Sequence, residues 1–295
     1  MILLRAATVT VASLDRSIDL YTRYLDYRLI ETGTVTAEQA TAWHAPGVAG
    51  HGYAVLQPAS NRTIFLRFVE QDPVPGFLAL RTYGWNAIEL CVTDVMQVYA
   101  RLKDSPFEII GPPRENPGLA NIHPMQIKGP DEEVVFLTQI NSDTPPYKLP
   151  RAESLIDQVF IMVMGCQDMA AATSWFELNL GLQRGEEMEI AYTMLAKAYG
   201  KDLSTQYRLT TVTHDFDVFL EIDQYPDAAT ARPRHDGLLP PGCAMTTFWH
   251  PDFDLVRQAQ KIDTQSLEGA IYDGQPSLVM QGPDGALVEV VAGAA

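Results

Sequence analysis

The 295-residue chain carries 21 lysines and arginines against 37 aspartates and glutamates, a net charge of -16 that repels phosphate backbones and anionic lipid and so argues against nucleic acid and membranes as partners. With 46% hydrophobic and 20% charged residues the composition is that of a folded globular protein, long enough for two domains. Cys91, Cys166 and Cys243 lie far apart without CxxC spacing, which gives neither a disulfide framework nor a zinc cluster and fits a reducing, cytoplasmic setting.

In chain order, residues 6–12 alternate as a strand and end in a Ser13 or Asp15 cap. A helix follows over 16–25, with Ile18, Tyr21 and Leu25 on one face. Three strands over 29–34, 52–56 and 63–69 complete a βαβββ module. A second module has a strand over 85–92, a helix over 94–102, and strands over 107–110, 125–128 and 133–138. Its last two strands are joined by the turn residues Gly129, Pro130 and Asp131. The proline-rich segment 142–150 reads as a linker.

The second half repeats this course. Tyr21 and Phe176 stand 155 residues apart, Phe65 and Phe219 stand 154 apart, and Gly129 and Gly282 stand 153 apart. A third module therefore starts with a strand over 157–163, a cap at Asp168 and a helix holding Trp175 and Phe176. The fourth has a strand over 243–248, a helix over 252–262, and strands over 269–272, 277–281 and 286–291. The expected fold class is α+β: four βαβββ modules in tandem, forming an N-terminal domain over 1–141, a linker over 142–151 and a C-terminal domain over 152–295.

Strands that run into a short polar cap, helices that end in an aromatic residue before Leu180, Gly181 and Leu182, and the closing run from Gly282 to Glu289 resemble the vicinal oxygen chelate superfamily. That superfamily includes glyoxalase I, bleomycin-resistance proteins and extradiol dioxygenases. The resemblance implies curled, mostly antiparallel sheets that form cups, with metal ligands projecting inward from the first and last strands. Counting back from Val163 places Gln158 at the first ligand position, and the last strands supply Glu221 and Glu289. The fourth position falls at Cys243 or Met245, where no histidine fits. A carboxamide with two carboxylates is a hard oxygen set, suited to a divalent Mg, Mn or Fe ion if any metal is bound. In the first half the corresponding positions are Ala6, Arg67, Ala87 and Phe136, none of them a ligand, so the candidate site falls in the C-terminal domain.

Independently of the resemblance, Glu221 and Glu289 each stand in an apolar strand, which is costly for a carboxylate without a partner. The alternative for both is an exposed sheet face. Strict alternation puts Gln158, Phe160 and Met162 on one strand face and Val159, Ile161 and Val163 on the other, toward a helix. Phe160, Met162, Tyr192, Tyr207 and Trp249 are candidates to line a pocket. The leading expectation is an enzyme, a lyase or isomerase, in which a metal polarises a small organic substrate and Glu221 or Glu289 moves a proton. The alternatives are a metal-free small-molecule binding protein of the bleomycin-resistance type and, more weakly, an extradiol dioxygenase. A monomer and a homodimer both fit.

Overall fold

The structure is a computed structural model and describes residues 3–115, 121–262 and 264–293. The first module contains β1 (Leu3–Val11), α1 (Leu14–Tyr24), β2 (Tyr27–Thr34), α2 (Ala37–Ala42), β3 (Gly52–Pro58) and β4 (Phe65–Glu70). The second contains β5 (Gly84–Val92), α3 (Val95–Leu102), β6 (Glu108–Gly111), β7 (Ile122–Lys128) and β8 (Val134–Ile140). In the third are β9 (Ile156–Cys166), α4 (Met169–Leu180), β10 (Gln183–Ala191), α5 (Thr193–Ala198), β11 (Gln206–His214) and β12 (Asp217–Gln224). The fourth has β13 (Cys243–His250), α6 (Phe253–Gln260), β14 (Gln265–Ser266), β15 (Pro276–Gln281) and β16 (Leu287–Ala292).

The helices begin where their capping side chains dictate. Ser13, Asp94 and Asp168 accept from the backbone N–H groups of Arg16, Gln97 and Ala171, satisfying donors that the first turn leaves free. Helix α4 stops at Gly181, whose φ of 61° is the left-handed conformation that closes a helix most cheaply in glycine. The strand expected over 269–272 is instead a turn, with Gly269 at φ 105°; the fourth module's short strand lies earlier, at β14.

The modules combine across the two halves of the chain. One eight-stranded sheet has the order β14-β15-β16-β13-β1-β4-β3-β2, and the other β10-β11-β12-β9-β5-β8-β7-β6. The first sheet thus joins modules one and four, through antiparallel β1 and β13, and the second joins modules two and three, through β5 and β9. Pairing is mostly antiparallel, with one parallel pair in each module. The segment after β8 is therefore a chain connection but does not separate two sheets.

One face of each sheet enters a common core with α1, α3, α4 and α6, where Val9, Leu66, Leu90, Met162, Phe176 and Val290 are all buried. The Trp85 indole N–H donates across this core to the Leu287 carbonyl (2.8 Å), tying the second sheet to the first. The opposite faces carry separate apolar clusters, and these differ in one respect that decides the site.

Candidate functional site

On the first sheet the cup is filled. Glu289, fully buried on β16, accepts from Arg67 Nη2 (2.8 Å) and Thr247 Oγ1 (2.7 Å) at one oxygen, and from Trp43 Nε1 (3.0 Å) and Tyr272 OH (2.8 Å) at the other. Arg67 in turn donates to Tyr272 OH and Thr8 Oγ1 and stacks against the Trp43 ring at 4.4 Å. The segment between β2 and β3, with α2 and Trp43, and the turn carrying Tyr272 cover this network. Every polar atom of the ion pair has a partner, which is what a buried pair needs to persist. The sequence reading that dismissed Arg67 because it cannot bind metal missed its role as the counter-charge of Glu289.

On the second sheet the equivalent space is open. A cavity of about 160 Å³ is walled by Phe136, Ile140, Phe160, Ile161, Ile190 and Val218. Its polar lining includes Glu89 on β5, Gln126 on β7, Thr138 on β8, Thr211 on β11, Glu221 on β12, and Arg114 and Tyr192 from the connections. Tyr192 precedes α5, the short helix inserted between β10 and β11, and packs edge-on against Phe136.

The acids at this site differ in their surroundings. Glu221 accepts from the Tyr192 hydroxyl (3.0 Å), and Asp223 stands two residues along the same face of β12 with both carboxyl oxygens buried and without a hydrogen-bond partner. Burial, then the charge of Glu221, drives Asp223 well above the carboxylate range. Burial raises Glu221 as well, and the donation from Tyr192 opposes only part of that rise. Glu89 accepts from the Thr138 hydroxyl and is pushed to about 8, by burial first and then by the charge of Glu221. Among the described residues no cation forms an ion pair with Glu89, Glu221 or Asp223. Three other polar atoms of the lining residues, Gln126 Oε1, Thr211 Oγ1 and Arg114 Nε, are buried without any hydrogen-bond partner. Apolar walls with a few polar side chains converging between them are the usual make-up of a small-molecule site.

The structure does not bring the four expected metal ligands together. Glu221 faces the cavity of the second sheet, whereas Glu289 lies in the first sheet, neutralised by Arg67. Cys243 is buried in the common core at the start of β13, its thiol pushed to about 12 by burial, and its carbonyl accepts from Arg232. Gln158 is half-buried on β9 outside the cavity lining, its carbonyl accepting from the Cys91 thiol. Among the described residues no three His, Cys, Asp or Glu side chains are disposed to share one ion. The side chains therefore do not fit the divalent metal that the resemblance implies.

Of the five expected pocket residues, Phe160 and Tyr192 line the cavity. Met162 instead enters the common core, Tyr207 packs into the apolar cluster of the second sheet without lining the cavity, and Trp249 lies on the first sheet under the guanidinium of Arg5. The error at Met162 has a local cause. Glu89 pairs with Ile161 and Leu90 with Val159, so Phe160 is an extra residue, a β-bulge that reverses the alternation beyond it. Phe160, Ile161 and Val163 consequently belong to the cup side, and Val159, Met162 and Met164 to the core.

Several solved structures share this fold. Glyoxalase I from Zea mays superposes with a TM-score of 0.63 over 99% of this chain and 92% of its own, at 16% identity. A Bacillus subtilis protein assigned as a dioxygenase gives 0.66 over 99% and 85%, at 11% identity. The cppA protein of Streptococcus pneumoniae gives 0.50 over 99% of both chains, at 11% identity. No protein-family model matches the sequence, and no curated protein matches it either. The architecture is the vicinal oxygen chelate fold, of the glyoxalase and dioxygenase type.

Proposed function

We propose that the protein takes a small, largely apolar organic molecule into the cup of modules two and three and moves a proton on it, with Glu221 as base and Glu89 as acid. The observation that carries this reading is a pair of carboxyls, Glu89 buried and Glu221 half-buried, facing one cavity in unequal surroundings. Glu221 accepts from the Tyr192 hydroxyl, which favours its carboxylate, and Glu89 keeps its proton up to about pH 8. Environments that separate the protonation of two neighbouring acids are how one site holds both a base and an acid at neutral pH. A proton removed by Glu221 and returned to another atom of the same molecule is isomerase chemistry; loss of a leaving group protonated by Glu89 is lyase chemistry. The apolar walls exclude water and strengthen both interactions.

The three buried, unpaired cysteines fit a reducing compartment, and we place the protein in the cytoplasm on that basis. No helix among the described residues is long and apolar enough to cross a membrane.

A metal-free binding protein is the second reading, favoured by the scattering of Gln158, Cys243 and Glu289 away from Glu221. One experiment separates the two. Small oxo- and hydroxy-compounds that raise the melting temperature are incubated with the protein in D₂O and followed by NMR. Deuterium entering a bound compound, and ceasing to enter with Glu221→Gln, supports the enzyme; tight ligands that never exchange leave only the binder.

A further inference from the structure

Two carboxyls, Glu89 and Glu221, line the cup of the second sheet, and among the described residues neither is ion-paired. Glu221 accepts from the neutral Tyr192 hydroxyl, so its charge is not compensated by any cation among the described residues. The charged groups in the lining are Glu89, Glu186, Glu221 and a single cation, Arg114, which donates to Thr193 Oγ1 (2.9 Å) and is not ion-paired with an acid. Asp223 and Tyr225 stand behind the lining beside Glu221 and Tyr192, and add no positive charge. A buried, unpaired carboxylate is costly, and the cost is relieved by a ligand that brings a cation. The walls above it are aromatic and aliphatic, with Phe136, Tyr147, Phe160 and Tyr192 contributing rings.

We propose that the cup of the second sheet is selective for organic amines with an apolar or aromatic body, the ammonium lying between Glu221 and Glu89. This rests on the cup being the ligand site, and it adds the charge of the ligand. The ammonium supplies N–H donors to the remaining lone pairs of the two carboxyls, and a ring packs against aromatic walls.

The test is calorimetric titration of the full chain with a set of arylalkylamines, such as 2-phenylethylamine, and the alcohols of matched shape, such as 2-phenylethanol. The amines should bind roughly tenfold tighter or more, because the charge-assisted contacts exist only for them. Glu221→Gln and Glu89→Gln, each checked for a native melting transition, should bring amine and alcohol to parity while the alcohol's own affinity persists. The wild-type comparison needs no variant and so stands even if a variant fails to fold. Alcohols binding as well as amines, or an amine preference that survives both variants, overturns the assignment and leaves the cup as a ligand site. Binding by neither series overturns the assignment and the cup reading together.

Discussion

Arg67 and Glu289 meet across the filled cup of the first sheet, Nη2 to Oε2 at 2.8 Å, with side chains 1% and 0% exposed. Removing one partner strands the other charge in the interior, so Glu289→Ala is expected to destabilise the protein by about 3–5 kcal/mol in urea unfolding. Replacing both, as Arg67→Met with Glu289→Leu, should recover most of that loss. A Glu289→Ala protein of unchanged stability would show that the network is not closed as described.

Filling the open cup should separate binding from folding. Val218→Phe projects a ring into the cavity and should abolish ligand-induced thermal shifts, at a stability cost of about 1–3 kcal/mol. Trp43→Phe, which removes a donor to Glu289 in the other cup, should cost about 1–3 kcal/mol and leave those shifts intact.

Stability should fall as pH rises. In the native state Glu89 and Glu133 keep their protons to about pH 8, burial being the main cause for each, whereas the unfolded chain releases them near the ordinary 4.5. Between those values the native state binds more protons, so raising the pH costs up to about 1.4 kcal/mol per unit for each group. Melting temperatures measured from pH 5 to pH 8 should decline, and Glu89→Gln should flatten the slope by its share. An unchanged slope in that variant would mean that Glu89 is already ionised in the folded protein.

The halves of the chain should not fold separately. Residues 1–141 alone would leave β1 without β13 and β5 without β9, exposing two central strand edges and the apolar faces beside them. Each half expressed by itself should aggregate or remain unfolded by circular dichroism, and the whole chain should unfold in one transition. Two independent transitions would contradict the cross-half pairing.

The four modules are legible because each leaves local marks, a strand, a polar cap and a helix, and because the second and fourth close on a Gly-Pro-Asp turn, all at nearly fixed offsets between the halves. Glu221 could be singled out because Leu220 and Ile222 flank it in a strand. Glu89, between Ile88 and Leu90, bears the same signature and was overlooked in favour of Ala87, two residues earlier. Which modules share a sheet is a matter of long-range pairing that leaves no periodicity in the chain, so Glu289 was assigned to the wrong cup. Helices α2 and α5, six residues each, are too short to show a period, yet one helps to close the first cup and the other supplies the entry to Tyr192.

The strand ladder has no need of Phe160. With that residue gone, Val159 and Ile161 would become neighbours and each would keep the side it now faces, so the irregularity of the ladder between Glu89 and Leu90 would close. The extra position is thus committed to the wall of the cavity and to nothing else in the architecture. In a lineage that gave up the ligand, loss of that one codon would be among the least damaging shortenings the chain could undergo.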